Sequence, residues 1–326
     1  MISICTAVNY SYNHHYFGRN LDLEYHYQEA VVITPRNFPF PFKTTGTVAK
    51  HHALIGMATV ADGYPLYYDA TNEFGLSMAG LNFPGNAVYF QNKHDKDNIA
   101  PFEVIPWILG NCKNMDEAKL YLDNLNIVQI PFSKAYPLSP LHWIISYQDE
   151  SLVIEQTDSG LSIYDNPVNV LTNNPPFPYH LTNLSSYRHL SARDSVNTFS
   201  RNLNLPVFSR GMGTIGLPGD LSSPSRFIRA AFMKENAVCE DKNIGPINQF
   251  FHILRTVSMP RGSVIVDGRY EITQYSSCCD TDAGIYYYTT YENSQITAVN
   301  MFHVDLNTKS LHQYALNTEP NIMYAN

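Results

Sequence analysis

Cys5-Thr-Ala-Val-Asn-Tyr10 is a short β-prone run that opens on a cysteine, and Phe17-Gly-Arg-Asn-Leu-Asp22 lies just downstream. A cysteine at a free N-terminus carries nucleophile and base on one residue. The thiol attacks a carbonyl, and the α-amine, with a reference pKa of about 7.7–8.0, accepts and returns a proton near neutral pH. Cys5 by itself would be read as a small hydrophobe. Its neighbours change that reading, because Arg19 favours thiolate at Cys5 and Asp22 can hold Arg19 or accept from an α-ammonium. The plainer alternative for those two is a surface Arg–Asp pair three residues apart, which contributes little.

Met1-Ile2-Ser3-Ile4 stands ahead of Cys5. Methionine aminopeptidases need a small second residue, and Ile2 is not small. Exposure of Cys5 therefore requires a cut at the Ile4–Cys5 bond. The expectation is autoprocessing, with residues 1–4 a short leader and residues 5–326 a single domain.

Composition limits the remaining possibilities. The 326 residues are 44% hydrophobic and 15% charged, enough for a sizeable core. With 21 basic and 29 acidic residues the formal charge is −8, so a nucleic-acid partner is not expected. No apolar run approaches the roughly 18–20 residues of a membrane span. The first ten residues lack the basic start and apolar stretch of a secretory signal. Five cysteines without a CxxC pair argue against a disulfide framework, and a cytoplasmic location follows as the expectation.

Strands are expected at Cys5–Tyr10, Ala30–Thr34, His52–Val60, Leu66–Asp69 and Leu76–Leu81, separated by turn signals such as Asp62-Gly63. Helical spacing follows in Phe102, Ile105 and Leu109, and again in Met115, Ala118, Leu122 and Leu125. Further strands are read at Leu141–Tyr147, Leu152–Glu155, Leu161–Tyr164 and Val168–Thr172. A helix is expected near Leu184–Val196, then a Gly-rich loop. Ser223-Pro224 reads as a helix start with Ser223 as N-cap, and Ile247, Phe250, Phe251 and Leu254 mark an amphipathic helix. The chain closes with strands at Glu271–Ser276, Gly284–Thr290 and Ile296–Phe302. Blocks of strands and helices in this order suggest two sheets and helices in packed layers; a doubly wound parallel sheet would alternate more regularly.

Two motifs are set aside. Gly211-Met-Gly-Thr-Ile-Gly216 matches GxGxxG, but a dinucleotide site needs a strand before it and a helix opening inside it. Pro218-Gly219 follows at once, and no helix can start before Ser223. His14-His15 and His51-His52 are adjacent pairs without metal-ligand spacing, and are read as surface or loop residues. No metal or organic cofactor is expected.

Asn82, in Ala79-Gly-Leu-Asn-Phe-Pro84, and Asn173, in Leu171-Thr-Asn-Asn-Pro175, each follow an apolar strand. Asn amides fixed on rigid elements suit an oxyanion hole, although either Asn alone would pass as a turn residue. Arg226 falls in the first turn of the helix after Ser222-Ser-Pro. A cation there opposes the helix dipole, so a buried partner or a functional reason is expected.

Together these segments resemble the choloylglycine hydrolase family of N-terminal nucleophile hydrolases, which includes bile salt hydrolases and penicillin V acylases. The resemblance runs from Cys5 nearly to the end, through FGRNLD, ITPRNF (33–38), NEFGLSMAGLNFPG (72–85), LHWIIS (141–146), LTNNP, GLPGDLSSPSRFIR (216–229) and YYYTTYEN (286–293). It implies an α+β fold, a four-layer αββα sandwich of two antiparallel sheets flanked by helices. It also implies Cys5 as nucleophile, Arg19 and Asp22 as its polar neighbours, Asn82 and Asn173 as the oxyanion pair, and Arg226 near the nucleophile. Leu21, Ala61, Tyr68, Phe132, Tyr136 and Leu141 align with positions lining an apolar steroid pocket, although core packing would serve each of them equally. Asn82 and the Gln129–Leu138 loop resemble the bile-salt branch, where penicillin acylases more often carry Tyr at the Asn82 position. The implied activity is cysteine-dependent hydrolysis of glycine- or taurine-conjugated bile salts. Penicillin V acylase and an unprocessed bile-acid-binding relative are the alternatives. By the same analogy the chain is a homotetramer, with residues 190–220 as its assembly loop.

Overall fold

A computed structural model describes residues 4–239 and 244–326. The expected leader, apart from Ile4, lies outside the described residues. Strand β1 (Ile4–Tyr12) and strand β2 (His14–Leu23) form a hairpin turned by Asn13 alone, whose φ of 60° suits asparagine better than most side chains. They sit inside an antiparallel sheet of six strands, in the order Val170–Leu171, β1, β2, Ile272–Asp280, Ile285–Thr290 and Thr297–Asn300. Gly18 permits the central contact: a Cβ there would lie 2.0 Å from the Ser277 carbonyl oxygen on the neighbouring strand.

The second sheet is also antiparallel and has eight strands: Gly160–Asp165, Glu150–Thr157, Leu141–Tyr147, Ser77–Asn82, Tyr64–Asn72, Leu54–Ala61, β3 (Ala30–Thr34) and His312–Ala315. Alternation along its strands divides two cores. Val31, Ile33 and Ile144 face the six-stranded sheet, while Val32, Trp143 and Ile145 face the opposite way. Helices α1 (Val104–Asn111) and α2 (Met115–Asn124) cover that second face with Ile105, Ile108, Leu109, Ala118 and Leu122. On the far side of the six-stranded sheet lie α3 (Phe177–Leu184), α4 (Ser223–Glu235) and α5 (Gly245–Arg255), anchored by Phe227, Phe250 and Phe251. The architecture is therefore helix, sheet, sheet, helix, an α+β sandwich.

Two expectations are corrected, and one strand was not foreseen. The helix anticipated near Leu184–Val196 ends where it was meant to begin, because α3 starts after Pro176 and only a short turn, Ser185–Tyr187, continues it. Ser222, not Ser223, is the N-cap of α4, and Pro224 occupies the second helical position. β2 carries the whole of Phe17–Asp22, a strand that the polar pattern of the segment concealed. Elsewhere Ala30–Thr34 and Leu141–Tyr147 are strands with the expected bounds. The Gly211–Gly216 segment holds only a short turn, Met212–Thr214.

Candidate active site

The β1–β2 register pairs Cys5 with Leu21 and Ala7 with Arg19. Alternation then puts Cys5, Leu21 and Arg19 on the face toward the second sheet, where all three line a cavity of about 310 Å³. Asn82 and Gly80 contribute to the same wall from the Ser77–Asn82 strand. Cys5 is 1% exposed.

Side chains from two other elements hold the Cys5 backbone. Its N–H donates to Asn173 Oδ1 at 2.9 Å, and its carbonyl accepts from Arg226 Nη1 at 2.5 Å. Arg226 also donates to Thr6 Oγ1 at 2.6 Å and, through Nη2, to Asn173 Oδ1 at 2.7 Å. A cation in the first turn of α4 thus has buried partners, as its unfavourable position required. Burial lowers the Arg226 pKa to about 10 against the pull of Asp22, Cys5 and Glu271, so it stays charged at neutral pH.

Asn173 is itself fixed. Its backbone N–H donates to Ser223 Oγ at 2.8 Å, His180 Nε2 contacts its carbonyl at 2.9 Å, and its Nδ2 donates to the Asn82 carbonyl at 2.8 Å. The two asparagines expected to act together are therefore directly joined beside Cys5. In this arrangement Asn173 Oδ1 serves the Cys5 nitrogen.

Arg19 is fully buried and donates through Nη1 to the carbonyls of Gly80 at 2.6 Å and Tyr68 at 3.0 Å, bridging the two sheets. Burial acts to lower its pKa, but the negative potential of Cys5, Tyr275, Asp69 and Asp22 prevails and raises it. Its Nη2 is buried without a hydrogen-bond partner among the described residues. Of the two roles open to Asp22, holding Arg19 by a direct hydrogen bond is not seen among the described residues. Three residues apart on a strand, the two side chains point to opposite faces. Asp22 instead accepts from Thr273 Oγ1 at 2.5 Å and lies in the field of Arg226 first and Arg19 second; burial outweighs both and lifts its pKa to about 6.

Of the six positions expected to line the apolar pocket, Leu21, Tyr68, Phe132, Tyr136 and Leu141 do so. Ala61 does not. It closes the Leu54–Ala61 strand opposite Tyr64 at the hairpin tip, and Thr59, two residues earlier on the same face, reaches the cavity. Ile130 to Phe132 and Ala135 to Leu138 form the outer wall, so the Gln129–Leu138 loop belongs to the pocket.

Glu271 was not singled out by sequence. It is fully buried one residue before the Ile272–Asp280 strand, and its Oε1 accepts the Ile4 N–H at 2.6 Å. Burial pushes its pKa up to about 8, reinforced by Asp22 and Glu24 and opposed by the Ile4 hydrogen bond and Arg226. No local pattern marked Glu271, because the strand it precedes is itself rich in polar residues. The His142–Glu155 contact of 3.0 Å, its imidazole stacked on Phe83, is likewise buried; His142 lies in the LHWIIS motif, but nothing local paired it with Glu155.

Residues 5–314 match the family described as linear amide C–N hydrolases, choloylglycine hydrolase family. A bile salt hydrolase/transferase of Lactiplantibacillus plantarum is 51% identical over 317 residues, covering 97% of this chain and 98% of its own. A second of that name from Clostridium perfringens is 39% identical, covering 96% of each chain. The solved structure of a conjugated bile acid hydrolase variant from Clostridium perfringens superposes with a TM-score of 0.92 at 38% identity, over 99% of this chain and 100% of that one. A penicillin V acylase from Agrobacterium tumefaciens, 18% identical with a TM-score of 0.74, shares the fold. With a buried cysteine set between two asparagines and two arginines at the foot of an apolar cavity, and this match along almost its whole length, the chain belongs to the choloylglycine hydrolase family of linear amide C–N hydrolases.

Proposed function

We propose that this amide hydrolase cleaves glycine- or taurine-conjugated bile salts, releasing free bile acid and amino acid, with Cys5 as nucleophile. The observation that carries the reading is the position of Cys5 at the foot of an apolar, aromatic-walled cavity of about 310 Å³, formed by Leu21, Tyr68, Phe132, Tyr136 and Leu141. A steroid needs a broad apolar site with few polar contacts, whereas the amide it carries needs the polar end. Relatives named as bile salt or conjugated bile acid hydrolases support the same substrate class.

Cys5 Sγ adds to the amide carbonyl, and Asn82 and Asn173 stabilise the oxyanion. The α-amine of Cys5 passes the thiol proton to the leaving amine, leaving a thioester that water hydrolyses. Arg19 lines the cavity beside Cys5, and Arg226 fixes the Cys5 carbonyl and Asn173. These steps call on no metal or organic cofactor. The nitrogen of Cys5 is still in peptide linkage with Ile4, so the reading requires removal of the segment ahead of Cys5.

Two further elements belong to the same reading. Homotetramer formation is supported by the exposure of Val196, Phe199, Leu203, Val207 and Phe208 on the 190–220 loop. A cytoplasmic location is supported by Cys112, Cys239, Cys278 and Cys279, which are buried as reduced thiols. Among the described residues no helix is long and apolar enough to cross a membrane.

Parallel rates on glycocholate, taurocholate and phenoxymethylpenicillin test the substrate. Turnover of either bile salt well above the penicillin is expected, and a clear penicillin preference overturns the assignment. Intact mass tests the chemistry: active protein should begin at Cys5. A chain that keeps Ile4 and hydrolyses none of the three is a binding relative instead.

A further inference from the structure

Consecutive N–H groups along a strand face opposite edges, and at the start of β1 both are taken by side chains. Cys5 N–H goes to Asn173 on one side, and Ile4 N–H goes to Glu271 on the other. Arg226 holds the next carbonyl along. The Ile4–Cys5 peptide bond is thus gripped on both flanks by residues from three different parts of the chain. Asn173 and Arg226 have work in substrate hydrolysis, but the hydrogen bond that the Glu271 carboxyl makes among the described residues goes to Ile4, the residue that maturation would discard.

We propose that Glu271 is a positioning residue for removal of the segment ahead of Cys5, holding Ile4 so that its carbonyl carbon is presented to the Cys5 thiol. The inference rests on the reading that Cys5 acts as an N-terminal nucleophile. In the cleavage, Cys5 Sγ bonds to the Ile4 carbonyl carbon, and the Ile4–Cys5 C–N bond breaks. The thiol proton passes to the departing α-amine. Water then adds to the thioester, the C–S bond breaks, and a fragment ending in the Ile4 carboxyl leaves with the thiol restored. Glu271 makes and breaks no covalent bond.

The carboxyl suits this role. It is fully buried, and its Oε2 has no hydrogen-bond partner among the described residues, so its one hydrogen bond is to the leader. Burial together with Asp22 and Glu24 keeps it largely protonated at neutral pH, so it accepts from Ile4 without placing a full negative charge beside the thiol.

The test follows residues 1–4 by intact mass during cell-free synthesis of the full chain as wild type, Glu271→Ala and Glu271→Gln. The same variants are also made with Met placed directly before Cys5, where aminopeptidase suffices. Loss of residues 1–4 should slow by about 10–100-fold in E271A, the range expected when a reacting group is mispositioned. E271Q, which keeps an acceptor oxygen, should recover most of the rate. The leader-free E271A chain should still turn over glycocholate. Equal processing of wild type and E271A, or an inactive leader-free E271A, overturns the role of Glu271. A wild-type chain that retains residues 1–4 and yet hydrolyses glycocholate instead overturns the nucleophile reading beneath it.

Discussion

Cys5 became readable only with its neighbours, because one cysteine in an apolar strand has no chemistry of its own. Its burial at 1% and its bonds to Asn173 and Arg226 are those of an immobilised group. Cys5→Ser should therefore lose at least about 1,000-fold in glycocholate turnover while leaving the fold intact, measured by product release and a urea melt. Asn82→Ala, removing one oxyanion donor, should lower kcat by about 100–1,000-fold, roughly 2.7–4 kcal/mol in barrier, with a smaller change in KM. Arg19, Asn82, Asn173 and Arg226 were visible through the motifs that hold them, since either asparagine alone would have passed as a turn residue. The relation between Arg19 and Asp22 stayed open in the sequence because spacing has no meaning until the backbone is known. A separation of three residues brings side chains together on a helix and sends them to opposite faces on a strand.

At the scale of elements, the Ser223 hydroxyl ties the start of α4 to the segment that follows the Val170–Leu171 strand. Ser223 Oγ accepts the Asn173 N–H at 2.8 Å and donates to Thr172 Oγ1 at 2.9 Å. Ser223→Ala leaves a buried donor unsatisfied and should cost about 1–3 kcal/mol of stability. It should also reduce kcat by loosening Asn173, measurable as a kcat loss exceeding any change in KM. Strong periodic segments such as Ala30–Thr34 and Leu141–Tyr147 announced themselves. β2 did not, because His14, His15, Arg19, Asn20 and Asp22 gave it the pattern of a loop. Several of its polar groups find partners on strands and helices distant in sequence: Asn20 reaches the Leu254 carbonyl and Ser276, and the Arg19 N–H donates to Ser277 Oγ.

At the scale of the whole molecule, the two sheets are joined by buried polar links as well as by apolar packing. Asp69 of the second sheet accepts from Tyr275 and Tyr286 of the first at 2.7 and 2.6 Å. Such burial makes stability depend on pH. Glu271 has a folded pKa of about 8 against an ordinary 4.5, so between those values the folded chain holds a proton that the unfolded chain has released. Its contribution is most favourable below about pH 4.5 and is lost as pH rises through 8; Asp22, raised from 3.8 to about 6, acts in the same direction over a lower range. In a leader-retaining Cys5→Ala chain, adding Glu271→Gln should flatten the fall in urea-melt stability between pH 5 and 8. An unchanged slope would mean that Glu271 does not carry the effect. The sequence by itself pointed to Cys5, to the asparagines and arginines that the structure gathers around it, and to the layered sheet-and-helix plan, because apolar periodicity and the ordered motifs shared with the choloylglycine hydrolase family are readable along the chain. Tertiary structure alone decided which partner each charge meets, that Thr59 rather than Ala61 reaches the cavity, and that Glu271 lies against Ile4. Those facts depend on strand register and on contacts between residues up to 267 positions apart, which no local pattern encodes.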